Sequence, residues 1–293
     1  MLVEIALSRF LVPNHNVDLQ QSIPVDRALN LSPAIQANSY YFGKYEWAKT
    51  YFEACHRDAA FKARWQAATG RWDGKVVVDI GCGPGNLYAT LGGSPQTLIG
   101  VDVARGSLEM AQQLGYIPLL ADAHSLPLIS EFADLVAVNA TLHHCEDMVQ
   151  VLREVARLVR PGGMLVIDHD PQLQAWNYKG LGMMMYNIRH LLYRFVFRQL
   201  HIDSTERTHA LATEIHHRPG SGVTSELFLQ TLEPLNFTVK LYPHNHTVGA
   251  KVLQGEQGHP PHWRYQVGQR LSGIDPNSSE ASLSLMCVAQ RNA

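Results

Sequence analysis

The stretch Val76-Val77-Val78-Asp79-Ile80-Gly81-Cys82-Gly83-Pro84-Gly85-Asn86-Leu87 constrains the fold more than any other part of the chain. Its run of β-branched residues predicts a strand buried on both faces. The strand closes on an acid and opens into a loop with glycine at alternate positions, Gly81, Gly83 and Gly85. Without Cβ atoms the backbone there can turn sharply and lie flat against a ligand. A tight strand-to-helix turn with no ligand would use the same residues, so the loop alone leaves both readings open.

Acids further along separate the two readings. From Lys75 to Gln172 strand and helix patterns alternate. Lys75–Ile80 predicts a first strand, with a helix from about Asn86. Thr97–Asp102 predicts a second, followed by a helix over Ser107–Leu114 that Gly115 ends. Ile117–Ala121 and Ala133–Asn139 predict the third and fourth. Met148–Val159 then sets Val149, Leu152, Val155, Ala156 and Val159 on one helical face. Pro161-Gly162-Gly163 turns into a fifth strand, Met164–His169. Such alternation implies a parallel sheet with helices on both sides. Ligands on such sheets bind beyond the carboxyl ends of the strands. Asp79, Asp102 and Asp122 sit at or just after the ends of the first three strands. Each alone could cap a helix. Together, beside a glycine loop, they describe a nucleoside site. Asp102 follows Gly85 by 17 residues, near the interval at which an acid reaches ribose hydroxyls. Charge assistance would strengthen its hydrogen bonds to a cis-diol.

A dinucleotide fingerprint needs its third glycine one place later, where this chain has Asn86. Asp79 is also a poor neighbour for a pyrophosphate and a good one for a cationic amino-acid group. In VVVDIGCGPGNL at 76–87, GVD at 100–102, ADAHSLP at 121–127, ADLVAVNATLHHCED at 133–147 and LVRPGGMLVID at 158–168, the sequence resembles the class I S-adenosylmethionine-dependent methyltransferases, of the type 11-like group with small-molecule acceptors. The resemblance implies an α/β fold: a seven-stranded Rossmann-like sheet in the order 3-2-1-4-5-7-6, the last strand antiparallel, with helices on both faces. Ser225–Leu232 would be the helix before strand six, Phe237–Tyr242 strand six and Leu283–Gln290 strand seven. Asn236-Phe237 replaces the family's more usual glycine-aromatic step.

The resemblance also implies S-adenosylmethionine as cofactor and S-adenosylhomocysteine as product. Gly81, Cys82, Gly83, Gly85 and Asn86 would cradle its methionine portion, with Asp79 near the amino group. Asp102 would hold the ribose diol and Val103 the adenine face. Asp122 would accept from the adenine amino group while Ala123 offers its backbone, and Asn139 would lie beside the sulfonium. The methyl group is already activated, so the protein supplies alignment, exclusion of water and, for a protonated acceptor, a base. His144, beside His143 after strand four, and His169 and Asp170 after strand five are the candidate bases. An imidazole there has a suitable pKa. A histidine after strand four also suits a structural tie, whereas His169 is better placed to face substrate.

The rest of the chain divides around this core. Residues 1–70 are expected to form an N-terminal arm and helical cover, and 71–293 the cofactor-binding domain. Met1 to about Ile35 reads as an irregular arm. Tyr45 to Ala68 reads as one amphipathic helix, with Trp47, Tyr51, Phe52, Cys55, Ala59, Ala60, Ala63 and Ala67 on its apolar face. Residues 173–222 read as an inserted lid that recognises the acceptor. Its Ile188–Leu200 portion, with Arg189, His190, Arg194 and Arg198, is too charged and short to span a membrane. It suits a packed helix, a lid wall, or a basic helix on a membrane surface.

His201, His209, His216, His217, His244, His246, His259 and His262 lack compact ligand spacing, so exposed loops rather than a metal site are expected. Cys55, Cys82, Cys145 and Cys287 are scattered, which fits neither a disulfide framework nor a zinc ribbon. The net charge of -2 gives no reason to expect nucleic acid as a partner. No signal segment is evident, so a cytoplasmic protein of undetermined oligomeric state is expected. The function expected is methyl transfer to oxygen, nitrogen or carbon of a small, partly apolar molecule in specialised or cofactor metabolism. A cofactor-binding partner or regulatory subunit without catalysis, and an NAD-dependent oxidoreductase, are the alternatives.

Overall fold

Nine strands form one sheet in the computed structural model, which describes residues 2–29, 32–51, 57–185, 188, 222–260 and 262–293. The order is β1-β2-β5-β4-β3-β6-β7-β9-β8. Its centre is β3 (Val76–Ile80), flanked by β4 (Thr97–Asp102) and β6 (Ala133–Asn139). Next to these lie β5 (Ile117–Leu120) and β7 (Val159–Asp168), and these five strands are parallel to one another. β9 (Ser284–Arg291) inserts antiparallel between β7 and β8 (Phe237–His244). The sheet is therefore not seven-stranded. The strands anticipated from the sequence are β3 to β9, and two more come from the N-terminal segment. These are β1 (Val17–Asp18) and β2 (Val25–Asp26), the latter pairing parallel to β5.

Helices cover both faces, each over its own core. One face packs Leu7, Phe10 and Val17 with α7 (Met148–Leu158) and α9 (Ser225–Leu232). The other packs α4 (Ala59–Thr69), α5 (Asn86–Leu91) and α6 (Arg105–Gln113). A helix of four residues, α8 (Leu173–Trp176), follows β7, and α10 (Trp263–Leu271) precedes β9.

The N-terminal arm is more regular than its prolines suggest. It holds α1 (Leu2–Ser8), both short strands and α2 (Pro33–Phe42). Pro33 opens α2 because its missing N–H is no loss at a helix start, and the Ser32 hydroxyl accepts from Ile35 N. The expected Tyr45–Ala68 helix is instead α3 (Tyr45–Tyr51) and α4. Asp58 takes an extended backbone and caps α4 by accepting from Ala60 N, which starts a new helix. The buried face also differs: Phe61, Arg64, Trp65 and Ala68 point inward, whereas Ala59 and Ala67 are exposed. Pro161-Gly162-Gly163 lies within β7, whose register with β6 shifts between Ala133 and Leu135. Most of the anticipated lid, including Arg189, His190, Arg194, Arg198, His201, His209, His216 and His217, lies outside the described residues.

Candidate functional site

The loop after β3 is built on left-handed backbone. Gly81, Gly83 and Gly85 have φ of 66°, 53° and 84°, where a side chain is strained. Two of the three are also packed tightly. A Cβ on Gly81 would lie 2.2 Å from the Thr141 hydroxyl, and one on Gly85 would lie 2.9 Å from the Tyr116 ring. Gly83 differs, because a Cβ there meets nothing within 4 Å. Its bare face opens into a cavity of about 520 Å³ at the carboxyl ends of the central strands, within the usual range for small-molecule sites.

Acids line one side of that cavity. Asp79, at the end of β3, is 1% exposed and accepts a 2.7 Å hydrogen bond from the Tyr116 hydroxyl. Burial raises its pKa to about 7; the Tyr116 bond opposes this and the nearby Asp102 charge adds to it. Asp102 accepts from Gly83 N at 2.9 Å and Ala104 N at 2.8 Å. Its pKa is still raised, because burial outweighs those backbone N–H groups. Asp122 accepts from the His124 backbone N at 3.0 Å and lies 2.6 Å from the His124 ring. Burial pushes its carboxyl up, but the His124 contacts outweigh that and hold it below the usual range. Val103, Ala123, Cys82 and Asn86 also line the cavity. Gly85 does not. It serves the turn into α5, whose N-cap it occupies.

Imidazoles line the other side. His143 and His144 follow β6, His169 follows β7 and His246 follows β8, all facing the same cavity. His169 and His246 both have left-handed backbone, φ 70° and 68°, and their rings meet edge to face with centroids 4.3 Å apart. The sequence reading of His244 and His246 as exposed loop residues fails here. His244 is fully buried at the end of β8, with Nε2 2.7 Å from Asp168. A carboxylate only accepts, so Nε2 carries the proton while Nδ1 accepts from His246 N at 3.1 Å. Arg64 completes the anchor. From α4 it donates Nε to Asp168 at 2.8 Å and Nη1 to the Val248 carbonyl at 2.8 Å, which fixes the loop carrying His246.

This environment removes His169 from the near-neutral range anticipated for a base. Burial, reinforced by His246, lowers its pKa well below the ordinary value, and burial with His244 lowers His246 to about 3. Its Nδ1 is buried with no hydrogen-bond partner among the described residues. Asp170 does not line the cavity either. It is fully buried, and its Oδ1 accepts from His143 N at 3.0 Å and lies 2.7 Å from His143 Nδ1. Sequence reasoning named Asp170 as a base, whereas the structure sets it behind His143 and away from the cavity, and it did not single out Tyr116, Arg64 or His246 as site residues. No local pattern marks those three, which reach the site through contacts between distant segments.

The cavity is roofed by α2 and α3. Ile35, Asn38, Tyr41 and Phe42 of α2 and Ala48 of α3 face it. Asn38 Nδ2 donates to the His144 carbonyl at 3.4 Å, and Ser107 Oγ donates to the Phe42 carbonyl at 2.6 Å. Gly106 permits this approach, since a Cβ there would lie 2.2 Å from the Gly43 carbonyl oxygen.

A family profile described as a methyltransferase domain matches residues 78–167, the segment from β3 to the end of β7. The chain carries a class I S-adenosylmethionine-dependent methyltransferase domain. The chain is 30% identical over 120 residues to a ubiquinone biosynthesis O-methyltransferase of Thiobacillus denitrificans, covering 38% of this chain and 51% of that protein. It is 35% identical over 98 residues to a tRNA (carboxymethyluridine(34)-5-O)-methyltransferase of Arabidopsis thaliana, covering 32% of this chain and 24% of that one. This chain thus spans about half of the length of the first of these curated relatives and about a quarter of the second. A crystal structure of an S-adenosylmethionine-dependent methyltransferase from Mesorhizobium loti shares the fold, with a TM-score of 0.50 at 18% identity over 82% of this chain and all of that one.

The methyltransferase cofactor fits the acid side on two counts. The Gly83 face is an open cradle that any side chain would fill. Asn139, at the end of β6, lines the cavity with a buried Oδ1 that has no partner among the described residues. An acceptor atom held that way carries a desolvation cost of about 1–3 kcal/mol until a donor reaches it. S-adenosylmethionine brings such a donor on the amino group of its methionine portion, and S-adenosylhomocysteine keeps it. Among the described residues no cluster suited to a metal ion occurs, and no helix is long and apolar enough to cross a membrane.

Proposed function

We propose that the protein transfers the methyl group of S-adenosylmethionine to a small, partly apolar acceptor. The observation that carries this reading is the division of the cavity. Carboxylates, bare glycine backbone and the Asp122-bound His124 lie on the β3–β5 side, and apolar groups with His143, His144, His169 and His246 lie on the β6–β8 side and the roof. Gly81, Cys82, Gly83 and Asn86 would surround the methionine portion, and Gly85 would hold their turn. Asp79 would face the amino group and Asp102 the ribose diol. Val103 would lie on the adenine ring, with Asp122 and Ala123 at its polar edge and Asn139 beside the sulfur. Bound there, the cofactor supplies an electrophilic methyl group, and the chain supplies alignment and a dry pocket.

In this reading residues 1–70 are a cover, 71–293 the catalytic domain, and 173–222 a segment that selects the acceptor. Tyr41 and Phe42 on the roof favour a flat apolar acceptor over a polynucleotide, as does the net charge of -2. The test is a screen of a metabolite extract with methyl-labelled cofactor. A one-methyl mass gain in a small molecule, matched by S-adenosylhomocysteine, supports the reading. Labelling of RNA alone would replace the acceptor class.

A further inference from the structure

We propose that His143, held by Asp170, takes the proton from a weakly acidic hydroxyl of the acceptor, so that the reaction is an O-methylation of a phenol- or enol-type compound. The inference rests on the methyl-transfer reading above. His143 follows β6 in a short 3-10 turn, while Asp170 follows β7 on the neighbouring strand. One carboxylate oxygen receives both the backbone N–H of His143, at 3.0 Å, and its ring nitrogen, at 2.7 Å. That double contact fixes the peptide and the ring together. An ionised carboxylate only accepts, so Nδ1 carries the ring proton and Nε2 is the basic nitrogen. Asp170 also stabilises the imidazolium that forms when Nε2 gains a proton, as in other carboxylate-backed histidine bases. Asp170 is itself anchored, because its carbonyl accepts from Ser284 Oγ of β9 at 2.8 Å.

The rest of the wall narrows the acceptor. Among the described cavity-lining residues the ionisable acids are Asp79, Asp102 and Asp122, all on the β3–β5 side, and no lysine or arginine is present. The His143 side offers imidazoles with Pro171, Tyr41 and Phe42. His169 and His246 are kept neutral by burial, so they accept or donate hydrogen bonds but do not balance a charge. Among the described lining residues a carboxylate would find no cation except imidazolium, and Tyr41, Phe42 and Pro171 suit a flat apolar ring rather than a charged group. A hydroxyl needs only a base. A phenol, with a pKa of roughly 10, is within reach of an imidazole, whereas an alkanol is far more basic once ionised. In the balanced step, the acceptor oxygen forms a bond to the methyl carbon as the carbon–sulfur bond breaks. The bonding pair goes to sulfur, and the hydroxyl proton goes to His143 Nε2.

The test uses full-length protein and phenols of graded acidity, from 4-methylphenol to 4-nitrophenol, at pH 8. His143→Ala should lower kcat for 4-methylphenol by about 10²–10⁴-fold, with cofactor Kd unchanged. It should spare 4-nitrophenol, which is largely ionised already and needs no base. Asp170→Asn should reproduce the loss in part and move the acid limb of the pH profile. In the ligand-free protein, NMR should find the His143 ring proton on Nδ1 in wild type and lose that preference in Asp170→Asn. Equal losses for all phenols would make the pair structural and overturn the proposal, as would transfer only to amines or thiols. Failure to bind S-adenosylhomocysteine would instead sink the underlying methyl-transfer reading. His169→Ala producing the acidity-dependent loss, with His143→Ala silent, would move the base to β7.

Discussion

Asp79 offers a quantitative handle on the cofactor site, because its carboxyl titrates at about 7 in a pocket meant to receive a cation. An acid whose folded pKa lies above its unfolded value binds more protons when folded. Its contribution to stability therefore falls as pH rises from the ordinary 3.8 to about 7, and is constant above. Fully ionised, it costs the ligand-free fold about 4 kcal/mol. The cofactor's amino group recovers part of that by pairing with the carboxylate. Binding should thus tighten with pH, and Kd for S-adenosylhomocysteine should fall about tenfold between pH 6 and pH 8 if only the ionised form binds. Tyr116→Phe removes the 2.7 Å bond that favours the carboxylate. A hydrogen bond to a charge is worth about 1.5–3 kcal/mol, so the midpoint should move up by about 1–2 pH units. Of the other titratable groups facing Asp79, Asp102 of β4 opposes its charge while burial keeps Cys82 of the loop a neutral thiol, and both are unchanged in this variant. Calorimetric titrations from pH 6 to pH 8 on wild type, Tyr116→Phe and Asp79→Asn make the comparison. A wild-type Kd that does not vary with pH would refute the reasoning, and so would a Tyr116→Phe midpoint equal to that of wild type.

Asp102→Ala should weaken S-adenosylhomocysteine binding by about 3 kcal/mol, on the order of a hundredfold in Kd, by equilibrium dialysis; unchanged affinity would remove Asp102 from the ribose. Gly81→Ala drives a side chain into Thr141 in left-handed backbone, so it should lower the unfolding midpoint of the ligand-free protein. Gly83→Ala has open space, so it should cost only about 1–2 kcal/mol of stability while abolishing measurable cofactor binding. Arg64→Leu leaves the buried Asp168 charge with His244 alone and should cost about 3–5 kcal/mol in urea unfolding.

The core of the sheet was legible because each strand carries its own signal. Val76–Ile80 is a β-branched run with Asp79 next to its end and Gly81 after it, and Ala133–Asn139 is a largely apolar run that ends in Asn139. The acids were legible for the same local reason, since Asp79, Asp102 and Asp122 punctuate successive strands. The edge of the sheet was not. β1 and β2 are two residues each and exist only because β5 offers an open edge to pair with. Arg64 carries no local signal because a charge on a helix reads as its solvent face, and only Asp168, 104 residues away, makes its burial tolerable. His246 was hidden in the same way, its position set by a turn that Arg64 and His244 clamp from two other elements.

The central claim, a sulfonium-nucleoside site that serves methyl transfer, is tested most directly by calorimetry with two ligands. S-adenosylhomocysteine should bind wild-type protein at a single site and bind Asp102→Ala about a hundredfold more weakly, while NAD gives no heat. Saturable binding of NAD, with no response to S-adenosylhomocysteine or S-adenosylmethionine, would contradict it.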